Sequence, residues 1–168
     1  MSVAFGLLKR TTLEPQIPVI KSKTDIQLQR QLFQQKAEAY KFSDVIADIY
    51  DLLKNIRDPE HPYTLEQLDN LKEEDIEIYE QDDLKILIIS WKPATPTYSL
   101  ATHIGLSIYI KLERDFADFK SYKLSVLIKD GTHKNKSAVD RQVNDKERIE
   151  AAKENEKLMT FIETLISQ

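Results

Sequence analysis

The sequence predicts an α/β protein, specifically a two-layer α+β sandwich with a short, mostly antiparallel three-stranded sheet. Two observations indicate this fold class. Apolar residues recur at helical spacing in several segments, and three other segments alternate or run apolar as strands do. The length of 168 residues is typical of one domain with a tail.

Residues 1–41 differ in composition from the rest of the chain. Seven basic and three acidic residues give this segment a net charge of +4, whereas the whole chain carries −4. It also contains two prolines and a cluster of glutamines. This composition predicts a flexible, basic, Gln-rich tail, with a helix over 25–39 as an alternative for its second part. The folded domain is then 42–168.

The first part of the domain is predicted to be helical. Apolar residues between positions 42 and 56 follow one helical face, with Ser43 as the expected N-cap. Two prolines then break the helix. Thr64 and Gln67 have the spacing of a capping box, which predicts a second, short helix over 64–71.

Three strands are predicted. Residues 76–79 alternate apolar and polar, 84–91 form a dense β-type run, and the Asp82–Asp83 pair between them is typical of a hairpin turn. Strict alternation from Tyr122 to Ile128 predicts the third strand.

Further helices follow the second and third strands. Thr97 or Ser99 is the expected cap of the first, in which Gly105 indicates close packing. Asn144 is the expected cap of the next helix, and Asn155 of the last. The predicted order is therefore ααββαβαα.

Composition excludes several functions. The chain has no cysteine, which excludes disulfides, CxxC redox chemistry, thiolate ligation of zinc or iron–sulfur clusters, and a cysteine nucleophile. A net charge of −4 disfavours binding to nucleic acid. No apolar run reaches the length of a membrane span, and the first residues lack a signal-peptide pattern. We expect a cytoplasmic or nuclear protein with neither membrane nor nucleic acid as a direct partner.

Two of the three histidines lie in turn-like segments. His61 stands between Glu60 and a proline, and His133 follows the third strand. With a carboxylate from Asp58 or Glu60, these histidines would suit zinc or iron. The alternative is that each histidine hydrogen-bonds a backbone group and shapes its loop.

Hydroxyl side chains surround the start of the helix after the second strand. Thr97, Ser99 and Thr102 lie where free N–H groups and the helix dipole favour an anion. Ordinary helix capping is the alternative. Residues 66–83 hold nine acids and one base, which predicts either a solvated face or a docking patch for a basic partner.

Three ordered segments resemble the cytosolic iron–sulfur assembly component 2 family. Residues 56–68 have the sequence IRDPEHPYTLEQL, and 99–106 have SLATHIGL. Residues 131–133 have GTH, followed by QVNDKERIEAAKEN over 142–155. Order and spacing agree with the family over residues 42–166.

The resemblance implies an iron–sulfur assembly-like domain that acts as an adaptor. Family members join a WD40-repeat subunit and a HEAT-repeat scaffold in a targeting complex. That complex recognises apo iron–sulfur client proteins, including DNA polymerases and helicases, and directs cluster insertion. The resemblance also implies homodimers, including domain-swapped ones.

The chain departs from the family at its reactive cysteine. Tyr98 occupies that position, and Thr97 replaces the preceding histidine. Asp140 and Arg141 replace the usual Asn-Lys pair. A cysteine at a helix N-terminus would be a reactive thiolate, which tyrosine does not replace. The sequence therefore predicts a non-catalytic adaptor without a tightly bound cofactor.

Two alternatives stay open beside this adaptor. One is a regulatory paralogue that does not deliver clusters. The other is a metal-binding carrier that uses His61 and His133. For the adaptor, the residues expected to contact a partner are Arg57, Asp58, Glu60, His61, Lys146, Glu147 and Arg148. Arg148 is equally expected to pair with a carboxylate inside the fold.

Overall fold

The computed structural model describes residues 41–167, and the predicted tail over 1–41 lies, apart from Lys41, outside them. Five helices and three strands follow one another in this part of the chain. Their bounds are α1 Ser43–Leu53, β1 Ile76–Gln81, β2 Leu84–Trp91, α2 Ala101–Asp115, β3 Tyr122–Ile128, α3 Lys136–Asn144, α4 Lys146–Glu154 and α5 Glu156–Ile166. Single 3-10 turns at Glu73–Asp75 and Phe119–Ser121 precede β1 and β3.

The predicted α+β class is confirmed, and the sheet has the order β1-β2-β3. β1 pairs with β2 in an antiparallel register that places Ile78 opposite Leu87. β2 pairs with β3 in a parallel register that places Leu87 beside Leu124. The sheet is thus mixed rather than mostly antiparallel. The physical reason is the crossover through α2, which returns the chain to the end of the sheet where β2 began.

The predicted hairpin between β1 and β2 is confirmed. Asp82 and Asp83 form its turn with φ values of 50° and 65°. Two successive residues at positive φ match the right-handed twist of the flanking strands, and aspartate tolerates this conformation better than most residues.

The core lies between one face of the sheet and the helices. Strands β2 and β3 contribute alternate residues to it, as a half-buried sheet requires. α2 is the most deeply placed helix, with eight buried residues. The fully buried core side chains include Leu87, Ile89, Trp91, Ile104, Ile108, Leu112 and Ile128.

The prediction of a second helix over 64–71 is wrong. Its capping-box bonds are present, because the Thr64 N–H donates to Gln67 Oε1 at 3.0 Å and the Gln67 N–H donates to Thr64 Oγ1 at 3.3 Å. The segment nevertheless forms only a turn. Asp69 has a φ of 55°, which reverses the chain before a helix can propagate.

Two predicted N-caps are also wrong. α1 begins at Ser43, and Phe42 occupies its N-cap position. α2 begins at Ala101, with Leu100 at the N-cap and no side-chain cap, so neither Thr97 nor Ser99 caps it.

Helix α3 is absent from the sequence prediction. It buries only Val139 and Val143, which is too thin an apolar stripe to indicate a helix. Asn144 ends α3 and does not cap α4. Asp145 does so instead, accepting the N–H groups of Glu147 and Arg148 at 3.0 and 3.4 Å.

The predicted cap of the last helix is confirmed. Asn155 Oδ1 accepts the Leu158 N–H at 3.1 Å at the start of α5. None of the helices described is long and apolar enough to cross a membrane.

Acidic residues of the segment 66–83 form ion pairs within the domain. Asp69 lies 3.2 Å from Lys72, and Asp75 lies 2.7 Å from Lys129. The part of the segment in the β1–β2 turn is exposed. Docking of a basic partner on this segment stays a prediction.

Gly105 lies where α2 crosses α3. A Cβ atom at this position would lie 2.7 Å from Cγ2 of Val143. That distance is well inside van der Waals contact, so the crossing requires a residue without a side chain. The predicted role of Gly105 in close packing is confirmed.

We expect Gly105→Ala to lower the free energy of unfolding by about 1–3 kcal/mol through overpacking. The collision with Val143 outweighs the better helix propensity of alanine, which is worth about 1 kcal/mol. Urea unfolding followed by circular dichroism measures the change.

Val143→Ala provides the control, because it removes the two methyl groups that collide. The double variant should be more stable than the sum of the two single changes predicts. Strict additivity of the two changes would contradict a steric clash at this crossing.

Candidate functional site

The parallel pairing of β2 and β3 brings two loops together. Both strands end at the same edge of the sheet, so the loop over 92–100 lies beside the loop over 129–135. The Lys134 N–H donates to the Pro96 carbonyl at 2.8 Å and joins them. Segments from two separate parts of the sequence thereby form one surface.

The loop after α1 folds around the carboxylate of Asp58. An isolated β-bridge between Arg57 and Thr64 closes the loop. Inside it, Asp58 Oδ1 accepts the backbone N–H groups of Glu60 and His61, each at 2.9 Å. The side chain of Asp58 is fully buried, so these bonds replace its contacts with water.

Tyr98 binds the same carboxylate from the loop after β2. Its hydroxyl donates to Asp58 Oδ1 at 2.7 Å, and Nδ1 of His61 donates to that oxygen at 2.8 Å. The rings of Tyr98 and His61 are stacked with centroids 6.4 Å apart. One carboxylate oxygen therefore accepts four hydrogen bonds, whereas its neighbour Oδ2 is buried and has no partner among residues 41–167.

His133 connects Tyr98 to the loop over 129–135, which follows β3. Its Nε2 donates to the Tyr98 carbonyl at 3.0 Å, and its Nδ1 accepts the Asn135 N–H at 3.2 Å. These bonds assign the proton to Nε2. Asp58, Tyr98 and His133 thus connect the loops that follow α1, β2 and β3.

Tyr98 is held as a neutral phenol. Its side chain is almost completely buried, and burial together with donation to Asp58 raises the pKa of Tyr98 well above its ordinary value. A phenol in this state is neither a nucleophile nor a metal ligand at neutral pH. The position that the resemblance assigns to a reactive thiol therefore has a structural role in this chain.

The described residues do not form a set of ligands for the predicted zinc or iron site. Both ring nitrogens of His133 are in hydrogen bonds, and Nδ1 of His61 is bound to Asp58. Within residues 41–167 no group of three or more histidine or carboxylate side chains is arranged to hold a metal ion. Both histidines hydrogen-bond within or between their loops, and metal binding stays a prediction.

A polar cavity of about 360 Å³ lies at the N-terminal end of α2. Thr97 and Ser99 line it and are exposed, and Thr102 donates to Gln142 Oε1 at 3.0 Å. His133 closes one side. Anion binding at this helix end stays a prediction.

The residues expected to contact a partner divide into two groups. The exposed ones are Arg57, Glu60, Lys146, Glu147 and Arg148. Asp58 is buried because it organises its own loop, and His61 is half-buried beside it, so their contact with a partner stays a prediction. Arg148 lies 3.6 Å from Asp145 and remains more than half exposed, so its ion pair is at the surface.

Sequence reasoning missed the direct bond between Asp58 and Tyr98, and the two bonds from the Asn144 side chain to the backbone of Val126. An aspartate two residues before free N–H groups in a turn is a known signal for an inward-facing carboxylate. No sequence signal could have indicated which residue 40 positions away donates to it.

No family model matches the chain, but individual known proteins are similar to it over most of its length. A MIP18 family protein of Caenorhabditis elegans is 43% identical over 112 residues, which cover 67% of this chain and 69% of the relative. The MIP18 family protein galla-2 of Drosophila melanogaster is 44% identical over 120 residues, covering 71% and 74%. The chain belongs to the MIP18 family.

Other relatives of this MIP18 family chain are named after cytosolic iron-sulfur assembly. Cytosolic iron-sulfur assembly component 2B of Mus musculus is 40% identical over 120 residues, which cover 71% of each chain. A protein of the same name in Dictyostelium discoideum is 38% identical over 122 residues. The family resemblance stated from the sequence is confirmed.

We expect Tyr98→Phe to lower the free energy of unfolding by about 1–3 kcal/mol, because it removes a buried hydrogen bond to a charged group. Urea unfolding at pH 7 measures the change. Tyr63→Phe is the matched control, since Tyr63 is 51% exposed on the same loop as Asp58. A loss for Tyr98→Phe no larger than that for Tyr63→Phe would contradict the structural role of the bond.

We also expect the stability advantage of the native chain over Tyr98→Phe to shrink at alkaline pH. The pKa of Tyr98 is raised in the folded state, whereas the unfolded chain ionises near its ordinary pKa of 10.0. The unfolded state therefore loses a proton first, so the contribution of Tyr98 is complete below pH 10 and declines above it. Urea unfolding of both proteins at pH 8 and at pH 11 measures the two differences. An equal difference at both pH values would contradict the raised pKa.

Proposed function

We propose that this chain is a non-catalytic adaptor in cytosolic iron–sulfur protein assembly. It binds the WD40-repeat subunit and the HEAT-repeat scaffold of a targeting complex, and it helps present apo iron–sulfur client proteins for cluster insertion. The cluster is the cargo of this process. The adaptor works in the cytoplasm and the nucleus and forms a homodimer.

The observation that carries this proposal is the state of Tyr98. Family membership supports a role in iron–sulfur assembly, and the resemblance implies a reactive thiol at this position. Here a buried phenol with a raised pKa donates to Asp58 instead. An assembly factor without that thiol has to act through the surfaces it presents to other proteins.

The exposed candidates lie on rigid supports, as a binding surface requires. Lys146 and Arg148 are in the first turn of α4, whose start is held by the Asp145 cap. Arg57 and Glu60 are on the loop that the Asp58 carboxylate organises. Both groups are charged and exposed, which favours contacts with complementary charges of a partner.

Affinity purification of the tagged full chain from cells, with quantitative mass spectrometry, tests the adaptor. We expect WD40-repeat and HEAT-repeat subunits in amounts comparable to the tagged chain. The double variant Lys146→Glu/Arg148→Glu should reduce their recovery at least fivefold. Lys157→Glu, an exposed charge reversal on α5, should leave recovery unchanged. Absence of both subunits at physiological salt would overturn the proposal.

The alternative of a regulatory paralogue is favoured by the same tyrosine, because the thiol is what the resemblance links to cluster delivery. Rescue of cells that lack a cysteine-containing family member separates the two. Restoration of client enzyme activity by the native chain supports the delivery adaptor. Restoration only by Tyr98→Cys supports the regulatory paralogue and contradicts cluster delivery by the native chain.

A further inference from the structure

We propose that the open half of the β3 edge binds an extended acidic segment of a partner protein, which adds a fourth strand to the sheet. This inference rests on the adaptor function proposed above and names a class of partner segment. It concerns the β3 edge near Leu124, apart from the cluster of Asp58, Tyr98 and His133.

Among residues 41–167, β3 is an edge strand, and its second half is already closed. Asn144 binds both outward groups of Val126: its Oδ1 accepts the N–H at 2.9 Å and its Nδ2 donates to the carbonyl at 2.8 Å. Asp140 Oδ1 accepts the Ile128 N–H at 2.8 Å. Side chains of α3 therefore replace a neighbouring strand over this half.

The first half of the same edge is open. In a strand, backbone groups of alternate residues point to the same side, so the N–H and carbonyl of Leu124 point outward as those of Val126 do. No residue in the described part of the chain binds the Leu124 pair. The outward carbonyl of Tyr122 is likewise free there. Such groups are a template for an added strand.

A cavity of about 370 Å³ lies beside these open groups. Leu84 forms part of its mouth and is 47% exposed, an unusual exposure for a leucine of this domain. The cavity offers space for apolar side chains of an added strand. Its apolar and aromatic lining consists of Leu84, Tyr109, Phe119, Tyr122, Leu124 and Ile149.

The charges around the cavity favour an acidic occupant. Lys120, Lys123 and Lys146 line it and are exposed, and none of them forms an ion pair with another of residues 41–167. Carboxylates near the lining include Asp118 and Glu80, which act on Tyr122, and Glu113 and Glu150, which act on Tyr109. Glu80 forms an ion pair with Lys41, and Glu113 and Glu150 form ion pairs with Lys153. Because these three carboxylates are already paired, the three unpaired lysines leave a cationic rim that complements glutamate or aspartate side chains.

The test uses a fluorescein-labelled peptide of alternating Glu and Val, seven residues long and amidated at its C-terminus, with fluorescence polarisation against the full chain. We expect saturable binding that weakens as salt rises. Lys120→Glu/Lys123→Glu should weaken it at least tenfold, whereas Lys157→Glu should not change it. Hydrogen exchange should show new protection of the Leu124 amide in the complex.

A peptide with the same side chains but alternate N-methylated backbone amides isolates strand addition. It keeps the charges and loses the hydrogen bonds, so we expect it not to bind. Equal binding of the two peptides, or no binding of the parent peptide at millimolar concentration, would overturn the proposal. Protection of Leu124 by a second copy of the chain, with dimerisation in light scattering, would overturn it too.

Failure of this proposal is distinguishable from failure of the adaptor function. The peptide measurement needs only the purified chain, whereas the adaptor is tested by recovery of its subunits from cells. Absence of peptide binding together with intact recovery of the subunits would remove the strand-addition site alone.

Discussion

The carboxylate of Asp58 is the interaction on which the candidate site depends. A buried carboxylate is costly unless donors compensate its charge, and four donors converge on its Oδ1. Two are N–H groups of its own loop, the third is the ring of His61, and the fourth is the hydroxyl of Tyr98. The loop after α1 takes its shape from the first three, and the fourth attaches the loop after β2 to it.

The topology of the sheet decides which other loop lies beside Asp58 and Tyr98. Because α2 makes a crossover, β2 and β3 run in parallel and their following loops meet, which lets His133 bind the carbonyl of Tyr98. At the outer edge of β3, Asn144 and Asp140 close one half of the strand, and no other residue of 41–167 closes the other half.

At the position that the resemblance assigns to a reactive thiol, the chain has a buried structural contact. Tyr98 fills the position with a phenol that keeps its proton, and this contact helps hold the loops that carry Arg57 and Glu60 at the surface. The contact makes this surface rigid, which is what the proposed adaptor function requires. The lysines around the β3 cavity belong to the strand-addition site proposed above.

The sequence by itself determined the α+β class, the hairpin, the Asn155 cap, the tight packing at Gly105 and the family, because these depend on local periodicity, turn chemistry and short motifs. Only the tertiary structure decided the parallel pairing of β3, the helix α3 with its thin apolar stripe, and the bond from Tyr98 to Asp58. Those features arise from contacts between residues far apart in the chain. Local patterns carry no information on which distant donor meets a buried carboxylate.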